Sequence, residues 1–487
     1  VNLYFSDVFG VSEAVLEEYG VFNISLLTDL PLFIDPFLLF KSDKAEYQEL
    51  HNQMIFYLRF LRAKSEDGIA DRGLINAWYF FSEVKQNWLG FCETANAGRG
   101  LGRDFADALN ASLVSVFRNF GNETITRSSH IEKLCLVRSG VGRDMISDFT
   151  TNLIKDYLLR FTERFALEHI RADLRQKRAI DRCKFDYAVE RWMPGTYELP
   201  VFGGDYVLLT PKDILTKDET WINHDDMVAR FDEIPNAIDN DQLRAQLNNY
   251  FYSVLSQYPN LTKDDYHRVV SETVSKFPAI LDYYIRIKED TGDQAVANSA
   301  IRVSESHQLY VRQFGDLASL LHQYTKFYAV PETTREETRQ KIEFFKDVIE
   351  HKGGHHIFYI NGEPIRKETD VDILFRLVWF GTPSDVSREV DDGRGPADFK
   401  ISRGSADKTI VEFKLATNPQ LKRNLQNQVQ IYKKASDAKT GFKVIFFFSE
   451  SEEIKVIGIL QELRLLNDPN VILVDARKDN KPSASKA

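Results

Sequence analysis

The chain has 487 residues, 43% hydrophobic and 28% charged, which excludes wholesale disorder and leaves room for several domains. Its 62 basic and 72 acidic side chains give a formal charge of −10, and net charge alone ranks nucleic acid low as a partner. Three widely spaced cysteines, Cys92, Cys135 and Cys183, exclude a disulfide framework or zinc ribbon and suit a reducing compartment.

No stretch near the N-terminus reads as a signal peptide. The most apolar early run, Leu30 to Phe40, carries Asp35 and two prolines and is about half the length of a membrane span. A cytoplasmic protein with no membrane partner is expected. Asn96 to Arg103 has glycines at 98, 100 and 102, but neither dinucleotide-binding nor Walker spacing, and reads as a flexible loop. Ser139 to Asp144 reads as a loop capping the next helix. Leu153 to Phe165 has helical spacing, and a basic run from Arg171 to Arg182 follows it. Tyr206 to Thr210 is a predicted strand closed by Pro211. Turn-formers at 235–241 mark a boundary, so residues 1–238 form a mixed, helix-rich regulatory or interaction region.

Residues 239–354 are predicted to form a helical domain. Leu243, Leu247, Phe251, Val254 and Leu255 share one face, Pro331 to Thr334 starts a further helix, and Gly353-Gly354 stops it. Asp225-Asp226 and Asp264-Asp265 read as helix N-terminal charges. His351, His355 and His356 lie close together but lack regular ligand spacing, and read as an exposed turn. From 355 to 478 strands are predicted at 357–360, 397–401, 409–415, 444–448 and 471–474. They alternate with helices at 370–380, 421–435 and 452–466, which gives an α/β unit on a mixed central sheet flanked by helices. A polar tail, 479–487, closes the chain, and the fold class is multidomain α/β.

The chemistry concentrates between Ser387 and Tyr432. Asp398 lies on one arm of a predicted hairpin, with Glu412 and Lys414 on the other. Residues i and i+2 of a strand project together, so two carboxylates and a lysine converge among Phe, Ile, Val and Leu. Burying like charges so closely demands a cation, and carboxylate oxygens suit Mg²⁺.

Pro396-x-Asp398, thirteen intervening residues, then Glu412-x-Lys414 resembles the signature of the PD-(D/E)XK nuclease superfamily, the restriction-endonuclease-like fold. Its proline often stands directly before the aspartate, and here it stands two positions ahead. Gln428 and Tyr432, at i and i+4 of a predicted helix, match the superfamily's QxxxY element. Glu368 falls where it places a helical glutamate, with Asp370 and Asp372 as competitors. The resemblance covers about 355–475, and none is recognised for 1–350.

The resemblance implies Asp398, Glu412 and Glu368 as ligands of Mg²⁺, with Mn²⁺ as a substitute, and Lys414 as the catalytic lysine. Gln428 and Tyr432 would contact DNA or buttress the ligands, and Arg394, Lys422 and Arg423 would contact phosphates. Expected, then, is a Mg²⁺-dependent DNA endonuclease in a bacterial restriction or anti-phage setting, with RNA as a second candidate substrate. A non-cleaving nucleic-acid-binding scaffold is the competing reading. Charge by region supports nucleic acid after all: residues from 351 on hold 22 Lys and Arg against 19 Asp and Glu, leaving 40 against 53 before them. The acidic N-terminal region is the expected surface for a homo-oligomer or partner protein.

Overall fold

The computed structural model describes residues 4–66, 72–90, 106, 109–110, 113, 120–137, 142–217, 219–258, 261–325, 331, 333–379, 384–388, 399–403, 407–431 and 440–481. The first of two compact units takes in Val1–Ile24, Pro31–Phe91 and Arg99–Ser304, and the second takes Glu305–Ala487 together with Ser25–Leu30. The stretch read as one helical domain over 239–354 is thus shared between the two. Among the described residues no helix is long and apolar enough to cross a membrane.

In the first unit the helix Ala45–Glu66 buries Tyr47, Leu50, Met54, Tyr57, Leu58 and Leu61, the spacing of one helical face. The basic run enters a strand, Arg175–Asp186, which pairs antiparallel with Arg191–Phe202. The apolar run near the N-terminus gives strand Leu32–Ile34 and helix Pro36–Lys41, capped by Asp35. Helices Asp241–Leu255, Lys263–Lys276 and Ile280–Asp290 bury Leu247, Phe251, Val254, Val270, Ile280 and Tyr284 in one cluster. Asp225 and Asp226 do open a helix, His224–Ala229, and Asp265 closes a capping box with Thr262. The predicted strand at Tyr206–Thr210 pairs only at its start, as Asp205–Tyr206. Beyond it the buried backbone bonds singly, Val207 to the Pro200 carbonyl and Leu208 to that of Gln86.

A buried polar group lies beneath that cluster. The His130 Nε2 is 2.9 Å from Glu289 Oε1, and Glu132 and His51 are buried beside it. Burial and the nearby Asp35 push the Glu132 carboxyl well above the usual range, and burial lifts Asp35 to about 6 against its amide bonds from Trp221 and Phe37. Carboxyls raised in this way contribute stability below their unfolded pKa of about 4 and lose it as pH rises through the folded values. Glu132→Gln, which stays neutral, is therefore expected to raise the melting temperature at pH 8 relative to wild type and to change it little at pH 4.5. Calorimetry across that range checks it, and a difference independent of pH would count against the assignment.

The second unit holds helices α1 (Thr334–His351), α2 (Glu368–Val378), α3 (Leu421–Ile431) and α4 (Glu450–Glu462). Its strands are β1 (Asp385–Arg388), β2 (Phe399–Arg403), β3 (Asp407–Leu415), β4 (Thr440–Phe447) and β5 (Val471–Asp475). They form one mixed sheet in the order β5-β4-β3-β2-β1, with β3, β4 and β5 parallel and β2 antiparallel to both its neighbours. Phe345 of α1 and Phe375 of α2 pack on one face, against Phe446 and Phe413. Leu421, Leu425, Val456 and Leu460 of α3 and α4 cover the other, against Ile445 and Phe447. Helices on both faces explain why β4 is apolar at successive positions.

Two expectations near the start of this unit are corrected. Of the strand predicted at 357–360, Ile357 and Phe358 end a 3-10 turn, Gly354–Phe358, and only Tyr359–Ile360 is a strand, in a short hairpin with Glu363–Pro364. Asn361 and Gly362, both at positive φ, make its turn. His355, read as exposed, is buried in that 3-10 turn, and burial lowers its pKa to about 4; His351 and His356 are exposed.

Candidate functional site

The site is built at the end of β3. Val411 and Phe413 turn toward α1 and α2, so the alternating Glu412 and Lys414 turn to the opposite face, and both are buried. Lys414 Nζ lies 2.8 Å from Glu412 Oε1 and 3.2 Å from Glu368 Oε2. Glu368, the first residue of α2, also accepts hydrogen bonds from the Leu415 amide at 3.2 Å and from Asn418 Nδ2 at 2.9 Å. These bonds hold its carboxylate across the end of β3. Burial pulls the Lys414 pKa down, but Glu412 and Glu368 outweigh it and hold the ammonium well above the usual lysine range. At neutral pH Lys414 is therefore a hydrogen-bond donor and a fixed positive charge.

Geometry separates the three acidic residues of α2. Glu368 reaches Lys414, whereas Asp370 is buried and accepts the Tyr310 hydroxyl at 2.5 Å, and Asp372 is buried within the helix. Tyr310 belongs to a π-helical segment, Gln308–Gln313, whose Gln313 also donates to the Tyr359 carbonyl at 3.0 Å. Tyr310 thus positions the helix that presents Glu368. Tyr310→Phe removes a donor from a buried carboxylate and is expected to destabilise the protein by about 1–3 kcal/mol in urea titration. A loss of under a few tenths would show that this bond does not hold α2.

Two carboxylates meeting one ammonium nitrogen form a hard-oxygen donor set that fits Mg²⁺ or Mn²⁺. The third expected ligand, Asp398, lies outside the described residues, as do Arg394, Tyr432 and the side chain of Gln428. Phe399, which follows Asp398 in sequence, pairs with Val411, which precedes Glu412. Arg423 is exposed in the first turn of α3, and Lys422 is bound to Glu462 at 2.7 Å on the surface. Asn96 to Arg103 and Ser139 to Val141 also fall outside the described residues; Gly142 caps the helix Arg143–Leu153.

Sequence reasoning missed three lysines. Residues opposite one another in a ladder share a face. Lys443 of β4 stands opposite Glu412 and is buried at 7% exposure, while Lys400 stands opposite Ile410. Lys408 falls on the same face of β3, and it and Lys400 are half-buried. A buried lysine inside the apolar run Phe442 to Phe448 was the available signal. Among the described residues one further group, His224, Asp225 and His267, brings ligand-type atoms within 4.8 Å of one another. It joins residues 43 apart in sequence, a spacing with no metal pattern.

Residues 10–223 match a domain of unknown function, DUF8370, and residues 334–450 match a second, DUF8371. No curated protein and no solved structure matches the chain. The second match spans α1 to β4 and so takes in Glu368, Glu412, Lys414 and Lys443.

Proposed function

We propose that the second unit is a Mg²⁺-dependent nuclease of the PD-(D/E)XK type, hydrolysing phosphodiester bonds of DNA, with RNA as the alternative substrate. The observation that carries this reading is the meeting of Glu368, Glu412 and Lys414 at the end of one parallel strand. A buried Glu412–Lys414 pair joined by the part-buried Glu368 from another element is costly to assemble for stability alone.

Glu368 and Glu412, with Asp398, would hold the metal. When bound, Mg²⁺ supplies charge stabilisation at the phosphoryl oxygens and acidifies a coordinated water. Lys414, a protonated donor in this structure, orients the attacking water and neutralises charge developing on phosphorus. Lys443 adds a second buried positive charge on the same face, and Lys400 and Lys408 extend it outward, an arrangement suited to a polyanionic backbone. A restriction or anti-phage defence role follows by analogy with how such modules are deployed. The acidic residues before 351 would then engage a second copy or a partner protein.

Incubation of the full chain with supercoiled plasmid, linear DNA and RNA, each with Mg²⁺, Mn²⁺ or EDTA, tests the reading. Metal-dependent nicking is expected. Intact substrates under every condition, with retained binding, would favour a non-cleaving nucleic-acid-binding protein instead.

A further inference from the structure

The first unit contains a cavity of about 470 Å³ that the nuclease reading does not use. Helix Ala45–Glu66, the segment Leu153 to Arg160 and the hairpin of Arg175–Asp186 with Arg191–Phe202 enclose it. It lies wholly within the residues that match the first domain of unknown function.

Its floor is aromatic and rigid. The rings of Tyr57, Phe185 and Trp192 sit with centroids 4.9 Å, 5.2 Å and 5.5 Å apart. The polar ends of two of them are spent on the protein: the Tyr57 hydroxyl donates to the Trp78 carbonyl at 2.7 Å and accepts from Trp192 Nε1 at 3.1 Å. Tyr57 and Phe185 are nearly buried, at 2% and 7% exposure, so the ring surface left toward the cavity is chiefly that of the half-buried Trp192. At the mouth Phe56 and Tyr187 are 53% and 38% exposed, their centroids 4.6 Å apart. Two large rings left in water beside an apolar cavity are a cost that a ligand would relieve.

Charge selects the ligand. Glu46 and Glu49 line the cavity from adjacent turns, and both are exposed. Glu46 accepts the Tyr157 hydroxyl at 3.3 Å and Glu49 the Gln53 amide at 2.9 Å, both neutral donors. Asp156, by contrast, is held by Arg160 at 2.9 Å and by the Tyr197 hydroxyl. Counting Lys184 and Arg160, the lining holds three carboxylates against two cations. Aromatic rings beside carboxylates attract a cation, and the rings of the floor, tilted 58–75° to one another, meet its apolar body with edges as well as faces.

We propose that this cavity binds an organic cation with an apolar or aromatic body, such as an N-alkylated nitrogen heterocycle. Calorimetry of the full chain at pH 8 tests it with three bicyclic probes: N-methylquinolinium, neutral quinoline and naphthalene-2-sulfonate. Expected is saturable one-to-one binding of the cation, about tenfold tighter than quinoline, and no saturable binding of the sulfonate. Phe56→Ala and Glu49→Gln, both at exposed positions, are expected to weaken cation binding at least fivefold with unchanged melting temperature. Binding of the sulfonate as tightly as the cation, no saturable heat with the cation to millimolar concentration, or full affinity in both variants would each overturn the proposal.

Discussion

Lys414→Met is expected to lose phosphodiester cleavage by about 10²–10⁴-fold, the range for removing one positioned catalytic group. Its effect on stability is expected to be as informative. The ammonium lies within 3.2 Å of two carboxylates, and Glu412 and Glu368 have side chains only 2% and 13% exposed. Removing the cation leaves two like charges facing one another in the interior, which costs about 3–5 kcal/mol. A divalent cation bound by the same carboxylates would restore part of that loss. Denaturant titration of the variant with EDTA and with Mg²⁺ should therefore show a large deficit in the first and a smaller one in the second. An equal deficit in both would mean that these carboxylates do not hold the metal.

Arg403→Ala is expected to be the most destabilising substitution outside the site. Arg403 of β2 reaches back to Glu337 of α1, whose Oε2 its Nη2 contacts at 2.5 Å, and its Nε donates at 2.8 Å to Ser384 Oγ, which itself donates to Glu337. Its Nη1 also donates to the Pro331 carbonyl at 2.5 Å, next to the start of α1. The Glu337 side chain is fully buried, and Lys341, 3.9 Å away, is too distant for a hydrogen bond. Loss of the guanidinium leaves that buried carboxylate with the Ser384 hydroxyl as its hydrogen-bond donor, at a cost of about 3–5 kcal/mol. Arg403→Lys, which keeps a positive charge beside Glu337, should recover part of that loss. The urea midpoints of the two variants decide this, and an Arg403→Ala loss below about 1 kcal/mol would show the pair to be dispensable.

Much of the second unit was legible because its signals are local. The alternation in Asp407–Leu415, the amphipathic spacing of Glu368–Val378 and the turn-bounded apolar run around Val444 each specify one element from within a few residues. Asp370 could not be told from Glu368 in sequence, because the choice depends on Tyr310, sixty residues upstream, which holds Asp370. Lys443 was invisible as a site residue until β3 and β4 were paired in register. His355 looked like part of a polar turn, yet the tight 3-10 geometry of Gly354–Phe358 turns it inward. The Asn361-Gly362 hairpin signal was present and outweighed by the apolar run before it. At Tyr206–Thr210 the apolar pattern reported burial correctly, but beyond Tyr206 single bonds to Pro200, Gln86 and Thr162 satisfy the buried backbone in place of a ladder.

The proposed nuclease site stands or falls on Glu368, the one of three candidate carboxylates that the folded chain brings to Lys414. Cleavage of supercoiled plasmid in Mg²⁺ by wild type, Glu368→Gln and Asp372→Asn, each below its melting temperature, compares them directly. Glu368→Gln is expected to lose cleavage by at least about a hundredfold while Asp372→Asn stays within a few-fold of wild type. Wild-type cleavage by Glu368→Gln, with Asp372→Asn inactive, would contradict the site as built here.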